Sequence, residues 1–177
     1  MHDSGDGDHS EMERAAREHL RIVAAGDEAA IAANVTAEYF NHRSADEPQA
    51  ARQRGPEGLK GTIRWLHRAF TELRFEIHEA AITGDRVALY VTLHGRQRGP
   101  FVVHDAPDAR ITDVFPPTGR TFAAKQTHWF TIVDGRVAEH DAVRDDLAMA
   151  KQLGWIPPKP VYIARMVVAM RSERRRD

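Results

Sequence analysis

The hydrophobic period of this chain changes near residue 70, and that change limits what it can fold into. In the segments before residue 70 the apolar residues recur at helical spacing; between Leu73 and Val143, outside the stretch 96–119, they alternate with polar ones at every second position. Helices therefore come first and a run of strands follows. That order predicts an α+β domain with its helices gathered against one face of a sheet.

The helical half reads as three segments. Ser10 with Glu13 fits a capping box opening a helix to about residue 25, with Met12, Ala16, Leu20 and Val23 along one stripe. Gly26 stops it, and Asp27 can cap a short helix to about residue 35. Tyr39-Phe40-Asn41-His42 is too short to classify, and residues 43–55 are polar and read as a loop. Pro56 starts a third helix to about residue 70, burying Leu59, Ile63, Leu66 and Phe70.

Four strands follow. Leu73, Phe75 and Ile77 alternate with charged residues; after the Gly84-Asp85 turn, so do Val87, Leu89, Val91 and Leu93 with their neighbours. Residues 96–119 hold four prolines and read as a long loop, the kind that serves as a lid. Strands over 120–133 and 136–143 flank Asp134-Gly135, the strongest hairpin signal in the chain. Asp145 or Asp146 can cap a helix ending at Gly154, and after Pro157, Pro158 and Pro160 a last helix runs to about residue 174. The expected organisation is a disordered tail over 1–9, one domain over 10–158, and a helical extension over 159–177.

Length and composition exclude several functions. The 177 residues suit one domain. With 25 Lys and Arg against 26 Asp and Glu, the net charge of −1 gives no bulk attraction to nucleic acid. There is no cysteine, hence no disulfide, thiolate nucleophile or thiolate metal site. Residues 1–9 lack the apolar stretch of a secretory signal, and no run approaches the roughly 18 apolar residues of a membrane span. A cytoplasmic location is expected. Ten histidines suggest metal, but no His-Glu-x-x-His pattern is present, and no metal site is expected.

The last hairpin carries the candidate chemistry. With Asp134-Gly135 as a two-residue turn, Phe130 opposes Glu139, His128 opposes Asp141 and Gln126 opposes Val143. Directly opposed residues share a face. One largely apolar face then holds Gln126, His128, Glu139 and Asp141. Asp141 would favour the His128 imidazolium, and an apolar setting would raise the pKa of Glu139. Such a cluster suits general acid–base work near neutral pH. The same His–Asp pair can also be a structural hydrogen bond, and a one-residue bulge would put Asp141 outside. Tyr39, Asn41 and His42 could point into the same cavity. Tyr90 faces pocket or solvent, and Trp65 is core or groove lining. Asp145 either reaches the cavity mouth or caps the next helix.

The segments His128-Trp129-Phe130, Asp134-Gly135-Arg136-Val137-Ala138-Glu139-His140, Arg144-Asp145-Asp146-Leu147 and Gln152-Leu153-Gly154 resemble the signature of SnoaL-like ester and polyketide cyclases. Pro116-Pro117-Thr118-Gly119-Arg120 and Tyr39-Phe40-Asn41-His42 fit the same family, and the resemblance spans about residues 12–158. It implies the cone-shaped fold of nuclear transport factor 2 and ketosteroid isomerase, a curved antiparallel sheet wrapping N-terminal helices around a deep pocket, with a C-terminal helix. It also implies ring closure of a hydrophobic polyketide or epoxide intermediate by acid–base catalysis, with no cofactor and no metal. The candidate catalytic residues are then His128, Glu139, Asp141 and Asp145. Tyr39, His42, Trp65, Tyr90 and Gln126 would position the substrate. Family members commonly carry Trp after the Glu-His pair, where this chain has Asp141 followed by Ala142. If the family's acid–base Asp sits one place later, Asp141 stands in for it, or Asp145 or Glu139 does the work. An epoxide hydrolase, a double-bond isomerase and a non-catalytic ligand-binding module are the alternatives. Trp129 and the Thr-rich outer face suit a sheet-to-sheet homodimer.

Overall fold

The computed structural model of the chain describes residues 4–106 and 108–175. Helix α1 (Ser4–Ala25) begins ahead of the expected Ser10 cap, so the described part of segment 1–9 is helical; residues 1–3 of that expected tail lie outside the described residues. Gly26 ends α1 with φ of 71°, which glycine adopts without a Cβ penalty. The Asp27 carboxylate caps a 3-10 turn, Glu28–Ala30, by accepting from the Ala30 amide. The turn leads into α2 (Ile31–Asn34). Strand β1 (Val35–Asn41) then takes up the Tyr39-Phe40-Asn41 segment. Two more 3-10 turns, Ser44–Asp46 and Gln49–Arg52, precede α3 (Pro56–Ala69).

The strands are β2 (Phe70–Thr83), β3 (Arg86–Gln97), β4 (Phe101–His104), β5 (Ile111–Phe115), β6 (Thr121–Val133) and β7 (Arg136–Arg144), followed by α4 (Asp146–Leu153) and α5 (Pro160–Glu173). Five of them form one sheet in the order β1-β7-β6-β3-β2. β1 runs parallel to β7, and the other pairs are antiparallel. The parallel pair makes the sheet mixed, because β1 arrives from the helical half rather than from a hairpin. β2 slips against β3 between Thr71 and Arg74 and again between Ile77 and Glu79. Bulges of this kind bend a strand, and the sheet curves around its helices. Met12, Ala16, Leu20 and Val23 of α1 pack on Val87, Leu89, Val91, Phe130 and Ile132 of the inner face.

The expected loop over 96–119 contains a second, two-stranded sheet, in which Phe101 pairs with Phe115 and Val102 with Val114. Its prolines bracket the strands rather than interrupt them. Buried Gln97 ties the excursion down: its amide nitrogen donates to the Phe115 carbonyl at 2.9 Å, and its oxygen accepts from Trp155 Nε1 at 3.1 Å. Helix α5 straps over this hairpin. Tyr162 Oη donates to the Pro116 carbonyl at 3.0 Å, Arg174 donates to the Ile111 carbonyl at 3.1 Å, and Arg68 pairs with buried Glu173. Among the described residues no helix is long and apolar enough to cross a membrane.

Candidate active site

The β6–β7 hairpin turns where the sequence predicts. Asp134 and Gly135 both take positive φ, 49° and 69°, as a two-residue hairpin turn requires. Val133 pairs with Arg136 and Ile132 with Val137. Ala138 is then an extra residue on β7. Thr131 faces Glu139, Phe130 faces His140, Trp129 faces Asp141, His128 faces Ala142 and Gln126 faces Arg144. The expected facing of β7 is therefore reversed beyond Val137. In the unslipped register two carboxylates would sit against an apolar wall, at several kcal/mol each unless paired. The slip puts an imidazole and a methyl group there and sends both carboxylates out.

The expected cluster is corrected accordingly. Glu139 lies on the outer side and pairs with exposed His42 Nε2 at 3.0 Å. The Asp141 carboxylate is turned away from His128 and accepts from the Ala142 amide at 2.7 Å. Asp145 caps α4, accepting from the Ala148 amide at 2.9 Å. Tyr90 is on the outer face, its ring 5.3 Å from His78 and 5.1 Å beneath the Lys125 ammonium. None of His42, Tyr90, Glu139, Asp141 and Asp145 lines the interior cavity, whereas Tyr39, Trp65, Gln126 and His128 all do.

That cavity has a volume of about 290 Å³ between the sheet and helices α1, α3 and α4. Leu66, Phe70, Phe75, Phe101, Phe122 and Trp155 make most of its wall apolar. Trp65 donates its Nε1 to the Val102 carbonyl at 2.8 Å, which leaves its carbon framework for the cavity.

The imidazoles of the wall are neutral, and hydrogen bonds orient them. Gln126 Oε1 can only accept, so His128 donates from Nε2 at 2.8 Å. His128 Nδ1 is then the acceptor, and His140 donates to it from Nε2 at 2.9 Å. Burial depresses the His128 pKa to about 3, with neighbouring His19 and Arg144 adding to the effect. His140 is held well below the usual histidine range by burial and by His128. His128 is thus a neutral link in a chain, not the imidazolium expected beside Asp141. Its partner, His140, lies between Glu139 and Asp141 in the chain, so the unslipped register would put it on the opposite face. The chain uses the Gln126 oxygen and leaves that amide's NH2 as its remaining donor. A third imidazole, His19, donates from Nδ1 to Asn34 Oδ1 at 3.1 Å, and burial lowers its pKa to about 4. Tyr39 Oη, Arg43 Nε and Arg144 Nε are buried with no hydrogen-bond partner among the described residues. Nor, among those residues, do three or more His, Asp and Glu side chains converge to hold a metal ion.

The cavity does contain a buried carboxyl, and it comes from the stretch read as a polar loop. Glu47 is 2% exposed. Thr62 Oγ1 donates to one of its oxygens, and Asn41 Nδ2 donates to the other at 3.3 Å. Burial raises its pKa to about 7, against the lowering effect of Thr62, Arg144 and Asn41. Two glycines let this loop lie on α3: a Cβ on Gly58 would come within 2.0 Å of the Gln53 carbonyl oxygen, and one on Gly61 within 2.5 Å of the Ala50–Ala51 peptide. The Gly-x-x-Gly spacing over 58–61 was the available signal for this docking.

Comparison with known proteins places this arrangement in a family. The family model described as SnoaL-like polyketide cyclase matches residues 13–153. The chain is 34% identical over 108 residues to the aklanonic acid methyl ester cyclase DnrD of Streptomyces peucetius, covering 60% of this chain and 67% of that protein. It is 34% identical over 111 residues to the aklanonic acid methyl ester cyclase DauD of Streptomyces sp. strain C5, covering 60% of each. The match thus spans two thirds or less of these relatives' length. Among solved structures, TsrD from Streptomyces laurentii superposes with a TM-score of 0.64 at 25% identity, over 82% of this chain and 96% of that one. With a family match over most of its length, the chain belongs to the SnoaL-like polyketide cyclases, a family of cyclase enzymes.

Proposed function

We propose that this protein closes a ring within an apolar polyketide ester bound in the interior cavity, by acid–base catalysis without a cofactor. The observation that carries the reading is the make-up of the cavity wall, which is aromatic and aliphatic over most of its area and also carries Gln126, His128, Tyr39 and Glu47. At about 290 Å³ the cavity is close to the lower end of the range of small-molecule sites, roughly 300–1,000 Å³. The activity named for the relatives supports a methyl ester such as aklanonic acid methyl ester as the substrate class.

In an aldol-type closure a proton leaves the carbon beside one carbonyl. That carbon then bonds to a second carbonyl carbon, whose oxygen takes a proton back, so the product is an isomer of the substrate. The Gln126 NH2 is a donor for the oxygen on which charge develops, and a donor of this kind is worth about 10²–10³ in kcat. His128 and His140 fix that amide by occupying its oxygen. Burial and the nearby Glu47 hold the Tyr39 phenol well above its usual pKa, so its hydroxyl donates and does not ionise.

Incubation with aklanonic acid methyl ester, followed by chromatography and mass spectrometry, tests the reading. A ring-closed product of unchanged mass is expected. A product heavier by one water indicates a hydrolase, a shifted double bond an isomerase, and ester retained unaltered a binding module. Each of these three contradicts the reading.

A further inference from the structure

We propose that Glu47 is the catalytic carboxyl of this protein, removing the proton from the substrate carbon and delivering it to the new alkoxide. The inference rests on the cyclase reading above and names the proton carrier that reading needs.

The first observation is what β7 lacks. Its inward residues after the bulge are His140, Ala142 and Arg144, and the residue directly opposite His128 is Ala142. Neither Glu139, Asp141 nor Asp145 lines the cavity. The histidines cannot replace them. His19, His128 and His140 are neutral and engaged, and burial opposes their protonation.

The second observation is what the 43–55 loop supplies. Glu47 lines the cavity and is held from three elements, by Asn41 on β1, Thr62 on α3 and the field of Arg144 on β7. Asp46 in its own loop acts in the other direction, and Tyr39 on β1 feels the Glu47 charge. Arg52 fixes the backbone beneath it, donating to the Glu47 carbonyl at 3.0 Å and the Ala45 carbonyl at 2.8 Å. A carboxyl on such a mount is positioned, and with a pKa near 7 it can both accept and release a proton at neutral pH.

The step balances without any co-reactant. Glu47 carboxylate takes the α-proton, and the C–H electron pair becomes the enolate. The enolate carbon forms the new C–C bond as the second C=O π bond breaks onto oxygen. Glu47 then returns its proton to that oxygen.

The test compares wild type, Glu47→Gln and Glu47→Asp on aklanonic acid methyl ester across pH 5–9. Glutamine keeps the shape and can still meet Asn41 and Thr62, so a structural role would survive it. Expected are a wild-type kcat/KM that rises with pH through a midpoint near 7, a Glu47→Gln rate lower by about 10²–10⁴, and partial retention in Glu47→Asp. A Glu47→Gln rate within threefold of wild type overturns the inference and leaves the cyclase reading intact. If Glu47→Gln does not fold, the wild-type profile decides, and a flat profile over this range overturns the inference. Wild-type protein that leaves the ester unchanged overturns the cyclase reading and this inference with it.

Discussion

Acidification should destabilise this protein through its buried imidazoles, and Glu47 should oppose the effect. His128 has a folded pKa of about 3 and His19 of about 4, against 6.5 for the unfolded side chain. Their neutral forms are favoured in the fold, so their stability contribution is complete above about pH 6.5 and falls as pH drops, because the unfolded chain takes up protons first. Between pH 7.5 and 5.0 each loses about 2 kcal/mol. Glu47 has the opposite sign. Its pKa rises from 4.5 to about 7 on folding, so the fold gains about 2 kcal/mol from it over the same interval. Urea unfolding at the two pH values, for wild type, His128→Gln and Glu47→Gln, isolates the terms. Wild type should lose roughly 2 kcal/mol, more as His140 contributes; Glu47→Gln should lose about 2 kcal/mol more than wild type, and His128→Gln about 2 kcal/mol less. Equal losses in all three proteins would refute the claim that these groups are buried in the stated protonation states.

Three further outcomes follow from the cavity wall. Gln126→Leu removes the amide donor and should lower kcat by about 10²–10³ with a smaller change in KM, read by steady-state kinetics. Tyr39→Phe removes a buried hydroxyl that has no hydrogen-bond partner among the described residues, so thermal unfolding should show no loss of stability while turnover falls. Gly61→Ala drives a methyl group into the Ala50–Ala51 backbone; it should destabilise the fold by about 1–3 kcal/mol in urea and lower activity by displacing the Glu47 loop.

The sequence made legible those parts of the fold whose signals are local. The α1 stripe, Pro56 at the start of α3, the alternation of β3 and β6 and the Asp134-Gly135 turn each act over a few residues. Gln126 and His128 share the cavity-lining face because β6 alternates without interruption. The remainder depended on long-range terms. Ala138 bulges because the alternative would bury Glu139 and Asp141, a comparison of two whole faces that no single residue announces. β4 and β5 were hidden by the prolines that bracket them. β1 lies parallel to β7, a pairing that bridges about 100 residues and has no hairpin signal. Glu47 sits in a stretch without period, and its place at the cavity comes from the docking of that stretch on Gly58 and Gly61 and from its bonds to Asn41, Thr62 and Arg52.

Either the outward carboxylates of β7 and the α4 cap or the loop carboxyl Glu47 carries the proton. The direct measurement is the initial rate of ester cyclisation by the triple variant Glu139→Gln, Asp141→Asn, Asp145→Asn, run beside Glu47→Gln. Asn is as good an N-cap as Asp, so α4 keeps its start. The triple variant should turn over within about threefold of wild type while Glu47→Gln loses about 10²-fold or more. The reverse order, with the outer carboxylates essential and Glu47 dispensable, would contradict the account.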